Sequence, residues 1–264
     1  MAKTRSLKQS KMFILFCVAS FFGLFFIVIV LAEPIFSQLI FGLDDFFSSC
    51  TDPEVLSCIG LTIGSSFIAT GIAALFGIPL AYILARKNFF GKRLVESVVD
   101  LPIMVPHMVA GIALFSVFHR HGLIGEPFFP IIKFFDAIPG VVVAMLFVSA
   151  PFFINPVREG FQSVDPRLEN VARSLGASPW KAFHRVAIPL AYRHILSGIG
   201  MSWGRGISEF AAVILLAYYP MVASTLIYEK FLMHGLEGSR PIAVLLMLIC
   251  LGIFLSFRSA SVKR

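Results

Sequence analysis

Long apolar runs, separated by short polar segments that are mostly basic, set the pattern of this chain. A helix crosses the hydrocarbon core of a bilayer with about 20 apolar residues. Six stretches qualify: 12–32, 57–85, 94–118, 138–157, 190–218 and 240–258. The first is longer than the ~7–15 apolar residues of a signal-peptide core and no A-x-A site follows it, so it reads as a retained helix. The pattern predicts an all-α, polytopic membrane protein of about six transmembrane helices. Residues 1–264 read as a single membrane domain with no internal repeat and no appended soluble domain.

The polar positions set the expected orientation. Lys3, Arg5, Lys8 and Lys11 precede the first run, and Arg86, Lys87, Lys92 and Arg93 fill the second loop. Arg158, Arg167, Arg173, Lys181, Arg185 and Arg193 mark the fourth loop, and Arg258, Lys263 and Arg264 follow the last run. The alternate loops hold only Arg120, Lys133, Lys230 and Arg240, and the first of these carries Glu33, Asp44, Asp45, Asp52 and Glu54 instead. Cytoplasmic loops collect Lys and Arg, so both termini and the fourth loop are expected in the cytoplasm.

Composition sharpens this picture. The chain is 58% hydrophobic and 14% charged, whereas a soluble domain carries about 25% charged residues. The expected location is the cell membrane. The net charge of +7 comes in blocks between apolar runs, with no basic stripe interleaved with aromatics, so nucleic acid is not an expected partner. Cys17, Cys50, Cys58 and Cys250 have no metal-ligand spacing, and no metal is expected.

One polar element breaks the pattern: ENVARSLGASPWKAFHRVAIPL, residues 169–190. Residues 165–189 spell two short helices joined by a sharp turn. Asp165 can cap the first, with Pro166 at the first helical position, where its missing N–H costs nothing. Leu168, Val171 and Leu175 recur at helical spacing and form one apolar face. Gly176 stands where a left-handed residue ends a helix. Ser178 then caps and Pro179 opens a second helix, which runs through Trp180, Phe183 and Val186 toward Pro189 and the fifth run. A short amphipathic helix held crosswise at the membrane surface suits the docking of a soluble partner.

The same stretch resembles the EAA loop of permease subunits of type I, binding-protein-dependent ABC importers. Ala172, Leu175, Gly176, Ala177 and Pro189 match that pattern, while Asn170 stands at the usual Glu position and Val171 replaces the first Ala. Glu169 is adjacent, about 100° around the helix. The resemblance implies a coupling helix, about 165–177, between spans 4 and 5. It also implies ATPase-coupling roles for Glu169, Asn170, Ala172, Arg173, Leu175, Gly176, Ala177 and Ser178. LPIMVPHMVAGIALFSVF, 101–118, resembles the third span of the same permeases. GRGISEFAAVILLAYYPMVASTLIYEKF, 204–231, resembles the oxyanion branch that carries molybdate, tungstate and sulfate, most of all its molybdate/tungstate members.

These resemblances imply a homodimeric permease that moves an oxyanion delivered by an extracytoplasmic binding protein. Two copies of a cytoplasmic ATP-binding subunit would supply ATP and Mg chemistry, and this chain would bind no cofactor. Its own residues agree, since it has no G-x-x-x-x-G-K-[ST] phosphate loop and no catalytic grouping. Permeases for sulfate or another small solute, and an ATP-independent channel or secondary carrier, are the alternative readings.

Candidate pathway residues follow from charges inside an apolar run. Arg205 lies mid-run, about 18–20 Å from either end, where a charged side chain normally faces protein or water. Glu209, four residues on, can pair with it. The pair either lines an anion pathway or fixes helix orientation, and the sequence leaves both open. Ser202 and Ser208 are further pathway candidates, as is His107, which follows Pro106 where a helix must break.

Overall fold

The computed structural model describes the backbone of residues 2–129 and 131–262, and the side chains of 12–129 and 131–256. The side chains of Lys3, Arg5, Lys8, Lys11, Arg258, Lys263 and Arg264, which carry part of the charge count above, lie outside the described residues. The described chain is helical, without a strand: α1 (Ala2–Phe41), α2 (Leu43–Thr51), α3 (Pro53–Arg86), α4 (Lys92–Met104), α5 (His107–Phe118) and α6 (Gly125–Phe128). Then follow α7 (Ile138–Ser163), α8 (Pro166–Ser174), α9 (Pro179–Ala182), a π-helical turn Phe183–Ala187, α10 (Ile188–Ile207), α11 (Ala211–Leu216) and α12 (Ala223–Val262).

Among the described residues, four helices are long and apolar enough to cross a membrane by themselves, namely α1, α3, α7 and α12, and α4 with α5 makes a fifth if the bent pair is one span. The expected run 94–118 is therefore not one rod. It breaks at Val105–Pro106 and turns through 113°, because Pro106 supplies no N–H and holds the residue before it extended (Val105 φ −71°, ψ 129°). The expected span 190–218 differs too. Its helix stops at Ile207, and a three-residue break separates it from α11. At 20 residues α10 has the length to cross, but Arg193, His194, Arg205 and four glycines make it less apolar than the others. The run 240–258 sits inside α12, which is kinked at Gly235 (φ 66°, ψ −150°).

Burial places α3, α7 and α10 at the heart of the molecule. Ala73, Ala81, Phe153, Val157, Phe161 and Ala191 form one buried cluster, and Ala69, Met145, Val148, Val213 and Leu216 form another with α11. Most of α1 is unburied, as lipid-facing apolar surface would be. Small residues let α10 approach α3 closely. A Cβ on Gly206 would sit 2.4 Å from the Ser66 hydroxyl, which itself donates to the Trp203 carbonyl at 2.8 Å. Polar contacts hold the first half of the broken span to α7: the Asn155 amide donates to Asp100 at 2.7 Å, and Arg158 pairs with Glu96 at 3.4 Å.

Thr62 joins α3 to the start of α12. Its buried hydroxyl donates to the Cys58 carbonyl (2.7 Å) and accepts the Ala223 N–H (2.8 Å). Thr62→Val keeps the shape and leaves that N–H without a partner, so it is expected to cost about 1–3 kcal/mol. The unfolding midpoint in detergent, compared with the exposed control Thr51→Val, measures it.

Candidate functional site

The polar insert folds through local rules. Asp165 Oδ1 accepts the Arg167 N–H at 2.9 Å and Pro166 opens α8. The helix ends on Gly176 at φ +90°. The Gly176 N–H donates to the Arg173 carbonyl and the Ala177 N–H to Ala172, both at 3.0 Å, which together make a Schellman ending. Ser178 Oγ then accepts the Lys181 N–H, and Pro179 opens α9. From α9 the chain passes through the π-helical turn straight into α10, so α9 and α10 are one continuous helical piece.

The faces of α8 are unequal. Leu168, Val171 and Leu175 are 48%, 58% and 83% exposed, and Trp180 beyond the turn is 69% exposed. Asn170, Arg173, Ser174 and Ser178 are also exposed, while Ala172 and Ala177 are half-buried at the helix ending. Glu169, grouped with them in the sequence, is turned inward and buried. Its carboxylate takes the Arg86 guanidinium (Nε to Oε1 2.8 Å; Nη2 to Oε1 2.6 Å) and the Tyr82 hydroxyl. Sequence reasoning missed Tyr82 and saw Arg86 only as a topology charge. A tyrosine and an arginine one turn apart where a span meets a basic loop were the available signal.

The second site lies where two interrupted helices meet. Arg205 is in the last turn of α10 and His107 begins α5. Arg205 Nη2 lies 2.9 Å from Glu209 Oε2 and 2.8 Å from His107 Nε2, and Nη1 donates to Ser208 Oγ at 3.0 Å. His107 Nδ1 stands 3.5 Å from Glu209 Oε2. Arg205 Nη2 is also 3.2 Å from His107 Nδ1, so the guanidinium lies against the ring beside both nitrogens. Glu209 is only 1% exposed, and its other oxygen accepts the Ala212 N–H at 2.9 Å, capping α11. His107 has the open edge, with 41% of its side chain exposed against 2% for Glu209.

Four of the five candidate pathway residues, His107, Arg205, Ser208 and Glu209, thus form one cluster. Ser202 does not join it. It is fully buried and faces Thr70 of α3, with the two hydroxyls 3.5 Å apart. The arrangement offers an anion a guanidinium, an imidazole and a hydroxyl, with one carboxylate already holding the charge in balance.

Residues 77–262 match the family model described as "Binding-protein-dependent transport system inner membrane component". A molybdate/tungstate transport system permease protein of Thermococcus kodakarensis is 43% identical over 236 residues, covering 88% of this chain and 91% of that protein. A probable sulfate transport system permease protein of Chlorokybus atmophyticus is 34% identical over 212 residues, covering 78% and 74%. The crystal structure of a bacterial ABC transporter involved in alginate import contains a chain of similar fold. It has a TM-score of 0.72 and 20% identity, and the match covers 98% of this chain and all of that one.

Proposed function

Because this chain belongs to the family of inner-membrane components of binding-protein-dependent transport systems, a family of multi-pass ABC importer permeases, we propose that it moves an oxyanion inward, with molybdate and tungstate the favoured cargo. The observation that carries the reading is α8, a capped, amphipathic helix whose Leu168, Val171 and Leu175 are 48%, 58% and 83% exposed, joined by the sharp turn at Gly176 to α9, which runs on into α10. Such a helix suits a cleft on a cytoplasmic ATP-binding subunit. Asn170, Arg173, Leu175 and Ser178 present side chains to that subunit, and Gly176 sets the angle at which they are presented. Both termini face the cytoplasm with α8, following the Lys and Arg distribution. Two copies of this chain, each bearing one ATP-binding subunit that carries ATP and Mg, enclose the pathway. An extracytoplasmic binding protein delivers the anion.

The cargo class rests on the relatives that carry molybdate, tungstate or sulfate in their names and on the Arg205 cluster. Interrupted helices in transporters place backbone and charge at a substrate path. Here the two breaks bring Arg205, His107 and Ser208 together with Glu209 as counter-charge. An arriving oxyanion competes with Glu209 for the guanidinium, so it is attracted without being trapped.

The test is uptake into vesicles holding this chain with its ATP-binding and solute-binding partners, using molybdate, tungstate and sulfate in turn. ATP-dependent uptake of molybdate or tungstate is expected, with sulfate slower. Uptake of none of the three removes the oxyanion reading. Arg205→Gln is expected to reduce uptake at least tenfold while capture of the ATP-binding subunit is unchanged, and normal uptake by that variant takes Arg205 out of the pathway.

A further inference from the structure

The inner face of α8 carries a second device that docking alone does not require. Arg86 is the last residue of α3 and Tyr82 lies one turn earlier. Arg86 reaches two places across the insert: Nε and Nη2 meet Glu169 Oε1, and Nη1 donates to the Val164 carbonyl at 2.9 Å, just before the Asp165 cap. The guanidinium and the carboxylate are 9% and 10% exposed. Tyr82 completes the carboxylate through Oε2, and its ring stands edge-on to Phe161 of α7 (5.3 Å between centroids) and Phe183 of the π-helical turn (4.7 Å). Glu169, in the first turn of α8, thus meets two side chains of α3, and those two in turn touch the end of α7 and the root of α10.

The polarity of the joint suits both helices. A carboxylate in the first turn of α8 and a guanidinium in the last turn of α3 each complement the end of the helix that bears them. The contacts are charge-assisted, short and shielded from water, which makes the joint stiff compared with an exposed pair. The residues on the opposite face, Leu168, Val171 and Leu175, have no such anchorage among the described residues. A push on that outer face is carried inward through Glu169.

We infer that Glu169, Arg86 and Tyr82 form a strut that converts displacement of α8 into displacement of α3, and so set how much solute moves for each ATP consumed. They are positioning residues that act through α3 and touch no cargo. The inference rests on the proposed docking of an ATP-binding subunit on α8.

The experiment uses the whole complex, this chain with its ATP-binding and solute-binding partners, in proteoliposomes, and reads ATP hydrolysis and molybdate uptake in the same sample. Glu169→Gln is expected to leave hydrolysis within about twofold of normal while uptake per ATP falls about tenfold. Tyr82→Phe keeps the ring packing and removes one hydrogen bond, so uptake per ATP should fall about two- to threefold. An unchanged ratio in both variants overturns the strut, as does a matched loss of hydrolysis and uptake, which marks a merely structural joint. If Glu169→Gln does not assemble, the Tyr82→Phe ratio decides alone, a fall supporting the strut and a normal ratio overturning it. A wild-type complex that assembles but does not couple ATP to uptake overturns the proposed function instead, and the strut with it.

Discussion

Replacing Gly176 by Val is expected to abolish ATP-driven uptake and to reduce capture of the ATP-binding subunit at least tenfold. The cause is confined to the backbone. Gly176 holds φ +90°, and an L-residue in the left-handed region pays roughly 1–2 kcal/mol, with β-branched residues the worst placed. Space does not enter, because a Cβ built on Gly176 meets nothing within 4 Å. Val relieves the strain only by changing φ, and then the two bonds that close α8, to Arg173 and Ala172, are lost together. The Ser178 cap of α9 shifts with them, and Leu168, Val171 and Leu175 leave their present direction. Gly176→Asn is the informative control, since Asn tolerates the left-handed region and should retain most of the activity. Capture by the Val variant at the wild-type level, in a pull-down from detergent with purified ATP-binding subunit, would show that the ending of α8 does not set the docking geometry.

The second large effect concerns folding. Glu209→Ala is expected to be the most destabilising single change among those considered, at about 3–5 kcal/mol, the usual cost of stripping one partner from a buried ion pair. Glu209 holds three groups at once: the Arg205 guanidinium at 2.9 Å, the His107 ring at 3.5 Å and the Ala212 N–H at 2.9 Å. Truncation leaves Arg205, whose side chain is 18% exposed, without its counter-charge, and takes the cap from α11. Glu209→Gln should cost less, because its amide oxygen still accepts the Ala212 N–H. The double change Arg205→Met with Glu209→Met should recover much of the stability while abolishing uptake, because apolar replacements remove the desolvation problem along with the charge. Thermal unfolding midpoints of the three variants in one detergent rank them. An Ala variant as stable as the wild type would mean that water already reaches Arg205 freely.

Much of the polar insert at 165–189 could be read along the chain. Asp165 with Pro166, Gly176, and Ser178 with Pro179 are signals whose physics acts within four residues, so both ends of α8 and the start of α9 followed from their own neighbourhood, whereas the π-helical turn at Phe183–Ala187 did not. Pro106 signalled a break for the same reason, although the size of the bend did not follow from it. The run 190–218 was harder. At Ser208–Phe210 the break joins a local contact, Glu209 capping α11, to a distant one that the run does not show, Ser224 reaching the Glu209 carbonyl at 3.0 Å. The inward turn of Glu169 was harder to see, since Tyr82 and Arg86 stand 87 and 83 residues before it, where a span meets a basic loop.

The sequence by itself determined that lipid is the main solvent, which runs are helical, and where the polar insert starts and turns. Apolar length, proline and a left-handed glycine act on the backbone that carries them. Only the tertiary structure decided that Arg205 meets a histidine 98 residues away and that Glu169 meets an arginine 83 residues away. Those meetings depend on how closely α3, α7 and α10 pack and at what angle, which is settled by side chains fitting across helices rather than by any pattern along one of them.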